Sequence, residues 1–447
     1  MQHWKQVRLG DILTESAVPA INSSNERRIT VRLNVKGVEK RPVGSDKEGA
    51  TKYFIRSAGQ FIYGRQNLHK GAFGIIPSEL DGYESSQDLP AFDVSPECLP
   101  EWLLYFFRQG NFYQSLDRIA RGIGSRRINP RDLLEIEMPL PEIEEQKQLL
   151  AELKATDEAV EELEEEFTTQ AALLTQLRQA ILREAVQGKL VPQDPADEPA
   201  AALLTRIRAE KERLIKEKKL RKEKPLELLT EAEKPYELPQ GWEWVRIEEV
   251  CSSITDCVNK TAPLSQSITP FKMLRTTNIR NGKVDTMNVR YVSEETYLKW
   301  TARDKPCKGD LILTREAPLG EVGLIEQDDT IFLGQRLVQY RADEQLLSKN
   351  FLFHVFRGPI MQNQIKQLGV GMTVKHLRVP DSKVLSFPLP PLAEQHRIVA
   401  KVTELLSHCD ALEAELTQAR QAAEALHAAA LREAFAPRPV AEPVVEA

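Results

Sequence analysis

The sequence predicts an α+β protein in which two globular regions of mixed sheet and helix alternate with two long helices. A charged helical segment at residues 141–188 returns at residues 390–436, and the two align without gaps at an offset of 249, which matches Glu145 with Glu394. The sequence before each helix repeats as well. We therefore expect an internal duplication, with the two helices paired as an antiparallel coiled coil about a pseudo-twofold axis.

The order of the segments follows from shifts in composition and from proline breaks. A short helix is expected at about Glu198–Lys222, where pairs of opposite charge predict a solvated surface. The predicted segments are a first globular region at 1–140, a first long helix at 141–188, a charged linker with the short helix at 189–234, a second globular region at 235–389, a second long helix at 390–436 and a disordered tail at 437–447.

Each globular region is predicted to hold short strands followed by an aromatic helix. Short alternating apolar runs ended by glycine are typical of strands and turns. In the first region, Trp102, Tyr105, Phe106 and Phe107 are interpreted as core residues rather than as platforms for stacked bases. The matching landmarks of the two regions are Trp4 with Trp242 at the start, Arg65 with Arg315 after a strand, Trp102 with Phe351 in the aromatic helix, and the glycine loops Gly122–Arg127 and Gly369–Lys375.

The long helices carry the apolar pattern of a coiled coil. Apolar residues recur in steps of four and three from Leu149 to Ile181, and again, shifted by 249, from Ile398 to Ala430. A lone amphipathic helix gains most of its stability by packing its apolar face, so each helix is the obvious partner of the other. Such a helix spans roughly 55 Å, the size of a spacer. The predicted seam includes Leu163, Leu177, Leu412 and Leu426.

The charge of the chain is unevenly distributed. The net charge is −6, but residues 141–188 hold four basic and twelve acidic side chains, and residues 391–447 hold five and nine. The two globular regions each carry a small positive charge. This distribution permits the globular regions to bind nucleic acid.

Several classes of protein are not indicated by the sequence. No apolar run is long enough to span a membrane, and the start of the chain lacks the apolar core of a signal peptide. Phosphate-loop, zinc-protease and adenine methyltransferase patterns are missing, so we predict no catalytic residue, no metal ligand and no cofactor-binding residue. Five scattered cysteines predict reduced thiols in a cytoplasmic protein; they are Cys98, Cys251, Cys257, Cys307 and Cys409.

Candidate DNA-binding residues lie near the glycine loops, because flanking glycines let a loop enter a groove closely. The alternative for these residues is a solvated turn, and for Arg65 and Arg315 it is a structural salt bridge. Two different readers in one chain predict a bipartite, asymmetric target. The candidates of the first region are Arg65, Gln66, Lys70, Arg121, Ser125, Arg126 and Arg127, and those of the second are Asn278, Arg315, Lys366, Thr373 and Lys375.

Four stretches of the chain resemble a known family. They are Pro139–Pro141 with Gln146, the repeat at Pro388–Pro390 with Gln395, Leu177–Pro192, and Tyr236–Trp244. In these stretches the chain resembles the specificity subunit of type I restriction-modification enzymes, and the resemblance covers nearly all of it. The resemblance implies that each globular region is a target-recognition domain for one half-site of double-stranded DNA, and that the paired helices set the gap between half-sites.

The resemblance also implies the partners. Two adenine methyltransferase subunits would dock on the helices, and motor-nuclease subunits would join them for restriction. S-adenosylmethionine, ATP and Mg²⁺ would then be used by the partners, with no cofactor in this chain. Three alternatives stay open: a recognition subunit of a two-part type II enzyme that cleaves on both sides of its site, a coiled-coil adaptor without a DNA role, and an enzyme whose site has no recognisable motif.

Overall fold

The computed structural model describes residues 4–21, 23–43, 52–110, 112–122, 126–217 and 228–436. The chain divides into two compact units, residues 1–169 with 416–447 and residues 170–415. Both long helices, Ile143–Val186 and Leu392–Ala434, begin in one unit and end in the other. The tail predicted at 437–447 lies outside the described residues. In the ranges that are described, no helix has the length and hydropathy needed to cross a membrane.

The described residues of the first unit form ten short strands, the first part of the first long helix and the last part of the second. Its central sheet has four strands in the order β2-β9-β6-β7, and β3 pairs with β4, β5 with β8, and β1 with β10. The elements are β1 Lys5–Arg8, α1 Leu9–Ile12, β2 Leu13–Ser16, β3 Ile29–Val31, β4 Val38–Lys40, β5 Tyr53–Ile55, β6 Phe61–Tyr63, β7 Phe73–Ile75, β8 Glu84–Ser86, β9 Ala91–Val94, α2 Pro100–Arg108, α3 Phe112–Ser115, α4 Pro130–Leu134, β10 Glu137–Leu140 and α5 Ile143–Val186, the first long helix.

The described residues of the second unit form three sheets and most of the remaining helices. One sheet has six strands in the order β12-β20-β17-β18-β15-β14, another has three in the order β16-β13-β19, and β11 pairs with β21. The elements are α6 Ala200–Lys216, β11 Glu243–Arg246, α7 Ile247–Val250, β12 Ser253–Asp256, β13 Lys272–Leu274, β14 Ile279–Arg280, β15 Gly282–Val284, β16 Arg290–Tyr291, α8 Glu294–Trp300, β17 Leu311–Arg315, β18 Leu319–Leu324, β19 Ile331–Leu333, β20 Leu337–Arg341, α9 Lys349–Arg357, α10 Pro359–Leu368, α11 Val379–Lys383, β21 Ser386–Leu389 and α12 Leu392–Ala434, the second long helix.

These elements confirm the predicted α+β class with a pair of long helices. The opening motif of each globular region pairs with its closing motif, as β1 with β10 and as β11 with β21, both antiparallel. The aromatic helix α2 lies in the core of the first unit, where Trp102, Tyr105, Phe106 and Phe107 are buried as predicted. The linker helix covers Ala200–Lys216, and residues 218–222 of its predicted range lie outside the described residues. It is not solvated all round, since Leu203, Leu204 and Ile207 are buried.

A buried glutamine joins each long helix to the globular region before it. Gln146 accepts a hydrogen bond from the backbone N–H of Leu99 at 2.8 Å and donates to the carbonyl oxygens of Glu97 and Pro141 at 2.8 Å each. Gln395 repeats this arrangement, accepting from the N–H of Ser348 at 2.9 Å and donating to the carbonyl of Pro390 at 3.0 Å. Each amide therefore ties the first turn of a long helix to the start of an aromatic helix.

In the first unit, Asp157 links the aromatic helix to both long helices. Its carboxylate accepts from Tyr105 Oη at 2.6 Å and from Arg108 Nη1 at 2.7 Å, and it lies 2.7 Å from His427 Nε2 on the second long helix. Burial acts to raise the pKa of Asp157, but the hydrogen bonds from Arg108 and Tyr105, with the charge of Arg108, lower it below its ordinary value. Burial and the bond to Asp157 raise the pKa of Tyr105 to about 12.

In the second unit, an arginine joins the two long helices instead. Arg178 Nη2 lies 2.6 Å from Asp410 Oδ1 and 2.9 Å from Glu413 Oε2. The helix pairing is antiparallel in this unit, as it is in the first unit, where Arg420 pairs with Glu164. The paired helices were predicted, but the ion pairs that hold each part were not.

Only one row of the predicted seam is buried along the helices. The residues spaced by seven from Leu153 to Ile181 are buried or half-buried, as are those from Val402 to Ala430. The second row is buried only at its start, at Leu149 and Ile398, and is exposed further along each helix. The seam prediction was therefore wrong for four leucines. This exposed row consists of Leu163, Leu177, Leu412 and Leu426, with 44%, 46%, 50% and 72% exposure.

We expect Asp157→Asn to lower the free energy of unfolding of the full chain by about 1.5–3 kcal/mol at pH 7, because hydrogen bonds to a charged group are lost. A carboxylate with a depressed pKa stabilises the folded state above its unfolded pKa of about 3.9, and this contribution is lost as the pH falls through the folded pKa. The difference from wild type should therefore shrink below about pH 4 in urea titrations.

Glu158→Gln is the matched control, since Glu158 is an exposed carboxylate next along the same helix. It should leave stability within about 0.5 kcal/mol of wild type. Equal stability of Asp157→Asn and wild type at pH 7 would contradict the role of the carboxylate in joining the helices.

Candidate nucleic-acid interface

Two surface loops are built in the same way, one in each unit. In the first unit, Arg121 and Arg127 form an antiparallel bridge, with N–H to O distances of 2.9 and 2.8 Å. In the second unit, Val370 and His376 form the same bridge, at 3.0 and 2.8 Å. The two bridges are related by the offset of 249 that relates the helices. We call residues 121–127 the first loop and residues 370–376 the second loop.

A glycine follows the first bridge residue in both loops. Gly122 has a φ of 124° and Gly371 a φ of 120°, which lie in the region that favours glycine. A Cβ on Gly371 would lie 2.3 Å from the carbonyl oxygen of Val374. The glycine is therefore needed for the tight closure of the second loop, and its match in the first loop adopts the same conformation.

The repeated arginines Arg65 and Arg315 lie beneath the loops. The carbonyl oxygen of Arg65 accepts from the N–H of Ile128 at 2.8 Å, and that of Arg315 accepts from the N–H of Leu377 at 2.9 Å. The Arg65 guanidinium donates to the Asn129 side chain, while Arg315 Nη1 donates to the carbonyl of Leu377 at 3.0 Å. Both side chains thus hydrogen-bond the segment that follows a loop, and neither of these bonds is the salt bridge given as their alternative.

The arginines of the first loop are paired with nearby acids. Arg121 Nη2 lies 2.8 Å from Asp132 Oδ1, and Arg126 Nη1 lies 2.6 Å from Asp117 Oδ2. These ion pairs are largely exposed, and exposed pairs contribute only about 0–1 kcal/mol, so the guanidinium groups can be transferred to a phosphate at little cost.

Gln66 and Arg127 form a second group beside the first loop. With its amide oxygen turned toward Arg127, Gln66 accepts from Nε and Nη2 at 3.2 and 2.8 Å. Arg127 Nη1 also lies 3.6 Å from Asp88 Oδ1. The amide of Gln66 and the planar guanidinium of Arg127 are groups that read base edges.

The second loop has a different surface. Thr373 and Lys375 are exposed, and Lys366 is exposed on α10 just before the loop. The most exposed side chain is Met372, and Val374 beside it is half-exposed. The sequence analysis did not select Met372 and Val374 as candidates, because apolar residues suggest a core. Their position in a glycine loop, between Gly371 and Lys375, could have indicated that they are exposed. An exposed apolar side chain can contact the thymine methyl group or a sugar face.

The other candidates differ in position. Lys70 is exposed at the end of a single helical turn, Leu68–Lys70. Asn278 is only 3% exposed, and its side chain accepts from the N–H of Arg275 at 2.9 Å and donates to the carbonyl of Asn288 at 2.8 Å. This amide is used inside its own turn, so we leave it out of the proposed surface. Ser125 lies outside the described residues.

Comparisons with known proteins point to one family. The family model of the type I restriction modification DNA specificity domain matches residues 239–419. The type I restriction enzyme EcoAI specificity subunit of Escherichia coli is 34% identical over 268 residues, which cover 57% of this chain and 43% of that protein. The EcoEI specificity subunit of the same species is 30% identical over 282 residues, covering 59% and 46%. The matched part of the chain spans less than half the length of either relative.

Two solved structures share the fold. A chain from a study of complex assembly and conformational transition of the type I R-M system has a TM-score of 0.69 at 19% identity, covering 97% of this chain and 98% of that one. The HsdS subunit from Thermoanaerobacter tengcongensis has a TM-score of 0.52 at 18% identity, covering 97% of both chains. At these identities the likeness is one of fold.

We expect Gly371→Ala to loosen the second loop, because a methyl group at φ 120° would meet the Val374 carbonyl. Backbone strain of this kind costs about 1–3 kcal/mol. The amide of His376, which closes the loop, should exchange with solvent about tenfold faster or more in hydrogen-exchange measurements.

Gly82→Ala is the control, since Gly82 also has a positive φ, of 74°, but a Cβ there meets nothing within 4 Å. It should leave the His376 amide at its wild-type exchange rate. An unchanged rate in Gly371→Ala would show that the bridge does not depend on the glycine.

Proposed function

We propose that this chain, whose residues 239–419 match the family model of the type I restriction modification DNA specificity domain, selects the DNA sequence on which a type I restriction-modification complex acts. Each unit binds one half of a bipartite, asymmetric site in double-stranded DNA. The paired long helices set the gap between the half-sites. The chain itself supplies no catalytic group.

One observation carries this proposal: two loops of the same construction, at the same offset as the helices, each with a glycine-led turn held by an arginine. Loops of this kind support entry into a groove, because the backbone at glycine approaches a duplex closely. Positively charged side chains then contact phosphates, which provide most of the affinity, while amide and guanidinium groups read base edges.

The difference between the loops supports an asymmetric target. The first loop offers guanidinium groups, whose forked donors match guanine, and the Gln66 amide beside it matches adenine. The second loop offers Thr373 and Lys375 beside the apolar Met372 and Val374. Two copies of one frame with different side chains favour two half-sites of different sequence.

The exposed row of leucines supports partner docking on the long helices. Leu163 and Leu426 are exposed in the first unit, and Leu177 and Leu412 in the second. Exposed leucines repeated at matching positions favour a partner that binds twice in equivalent ways. We propose that two adenine methyltransferase subunits bind there and that motor-nuclease subunits join the complex for restriction. S-adenosylmethionine, ATP and Mg²⁺ then belong to these partners.

The alternative of a two-part type II enzyme shares the recognition role and differs in its partners. Cleavage on both sides of the site by a complex without a motor subunit would identify it. A coiled-coil adaptor without a DNA role predicts no salt-dependent binding to duplex DNA. An unrecognised active site predicts methylation or cleavage by the purified chain alone.

We expect a chain with Arg121→Gln, Arg126→Gln and Arg127→Gln to bind target DNA more weakly when assembled with its methyltransferase subunits. Each phosphate contact that is lost should reduce the slope of log K against log salt by about one. The measurement is a salt titration of binding by fluorescence anisotropy. In cells, single-molecule detection of methylated adenine should show one two-part motif losing its methylation.

Arg8→Gln is the matched control, because Arg8 is an exposed arginine paired with Glu135 outside both loops. Its salt slope and methylation motif should equal those of wild type. An unchanged adenine methylation pattern when the whole chain is removed, with the methyltransferase present, would refute the specificity role itself.

We expect the double variant Leu177→Gln and Leu426→Gln to lower methyltransferase affinity by about tenfold at each site, because part of the apolar area buried on docking is removed. Its thermal unfolding should match wild type, since both side chains are exposed. Leu264→Gln, at a leucine 49% exposed outside the long helices, is the control. Equal affinity of the double variant and this control would exclude the exposed row as the docking surface.

A further inference from the structure

The last residue of each aromatic helix is an arginine, and the two arginines have different surroundings. In the first unit, Arg108 forms a two-point ion pair with Asp157, at 2.7 and 3.1 Å. The offset of 249 matches Arg108 with Arg357 and Asp157 with Leu406. The second unit therefore keeps the arginine and lacks the carboxylate at the matching position.

Within the described part of the chain, Arg357 has neither a hydrogen bond nor an ion pair among its contacts. Its guanidinium lies 5.3 Å from the centre of the Phe353 ring. Burial, followed by the nearby charge of Arg178, lowers the pKa of Arg357, while the charges of Asp410 and Glu321 act to raise it. Asp410 is already paired with Arg178 at 2.6 Å.

The imidazole ring near Arg357 carries no negative charge that could pair with the guanidinium. His354, at the position matching Tyr105, is buried, and burial and the charge of Arg357 lower its pKa to about 4, so it is neutral at pH 7. Arg357 is half-buried beside the Phe353 ring, and neither Asp410 nor Glu321 forms an ion pair with it, so an anion that pairs with it directly would stabilise it.

Arg357 lines an open polar cleft of about 410 Å³ in the second unit. Gln362, Asn363 and Lys366 of α10 form one side, and Gln179 of the first long helix forms another. Glu321 also lines the cleft, where its carboxylate accepts from the N–H of Asn281 at 3.3 Å. The cleft thus offers a guanidinium, an ammonium and several amide groups to an anion, against one carboxylate.

We propose that this cleft receives an acidic side chain of the methyltransferase subunit, which pairs with Arg357 as Asp157 pairs with Arg108 in the first unit. The inference rests on the proposed docking of that subunit and assigns a residue to it. A carboxylate is favoured over a DNA phosphate for two reasons. First, the matching arginine, Arg108, pairs with a carboxylate. Second, Gln179 lines both the cleft and the shallow groove that contains Leu173 and Leu177 of the first long helix.

The consequence is that the two docking surfaces are unequal. The surface in the first unit presents an arginine whose charge is already neutralised within the chain. The surface in the second unit presents an arginine that a partner must neutralise. A buried charge pair across an interface is costly to truncate, so the acidic side chain contributes to the affinity of one docked subunit.

The test is the binding of the methyltransferase subunit to the full chain, measured by isothermal titration calorimetry. Arg357→Gln should weaken binding at one of the two sites by about thirtyfold and leave the other unchanged. Leu406→Asp places a carboxylate at the position matching Asp157, where it competes for Arg357 from within the chain. It should weaken the same site, while the thermal midpoint falls because half-buried Leu406 packs against the core. Arg336→Gln, at an exposed arginine paired with Glu316, is the control.

Other outcomes overturn the proposal in distinguishable ways. Unchanged methyltransferase binding by Arg357→Gln, together with a salt slope for DNA lowered by about one, would identify the anion as a phosphate. Unchanged binding of both ligands would show that the cleft takes no anion. If Arg357→Gln fails to fold, the Leu406→Asp variant provides the test. Methyltransferase binding by Leu406→Asp that is as tight as that of wild type would then refute the proposal. Failure of the folded wild-type chain to bind the methyltransferase would refute the proposed function instead.

Discussion

The side-chain amides of Gln146 and Gln395 have no exposed surface, so all of their hydrogen bonds must be made inside the protein. Each amide accepts from the start of an aromatic helix and donates to the proline carbonyl five residues earlier. A tilt of either long helix away from its globular region would leave these groups buried without partners, at a cost of about 1–3 kcal/mol for each. The orientation of each long helix relative to its aromatic helix therefore depends on this one amide.

The repeat made most of the fold predictable from sequence. The offset of 249 located both long helices, and the repeated motifs around them located both glycine loops and the arginines beneath them, because similar sequences in the same order fold alike. The seam was harder to predict, since the spacing of Leu163 and Leu177 shows an apolar face but not which neighbour covers it. Asn278 was harder for a similar reason: an amide in a turn suits base readout and turn closure equally.

The two units use one frame for different surfaces. The glycines Gly122 and Gly371 adopt nearly the same φ, and the carbonyl oxygens of Arg65 and Arg315 accept equivalent bonds. The loops carried by this frame differ completely, with arginines in one and Met372 and Lys375 in the other. The same contrast separates Arg108 from Arg357, whose helices match while their acidic neighbours do not. Position is thus set by the shared framework, and chemistry by side chains that the framework leaves free to vary.

The paired strands at the start and end of each globular region bring its entry and exit side by side. The offset in residue number between the two copies is 238 at the first strand and 249 from the glycine loop onward. The second copy therefore contains about eleven more residues between these points, while its exit strand and long helix keep the arrangement of the first copy. A region closed at its neck in this way is a replaceable cassette. Under the proposed function, a new target arises by exchanging one cassette, and the other half of the target is inherited unchanged.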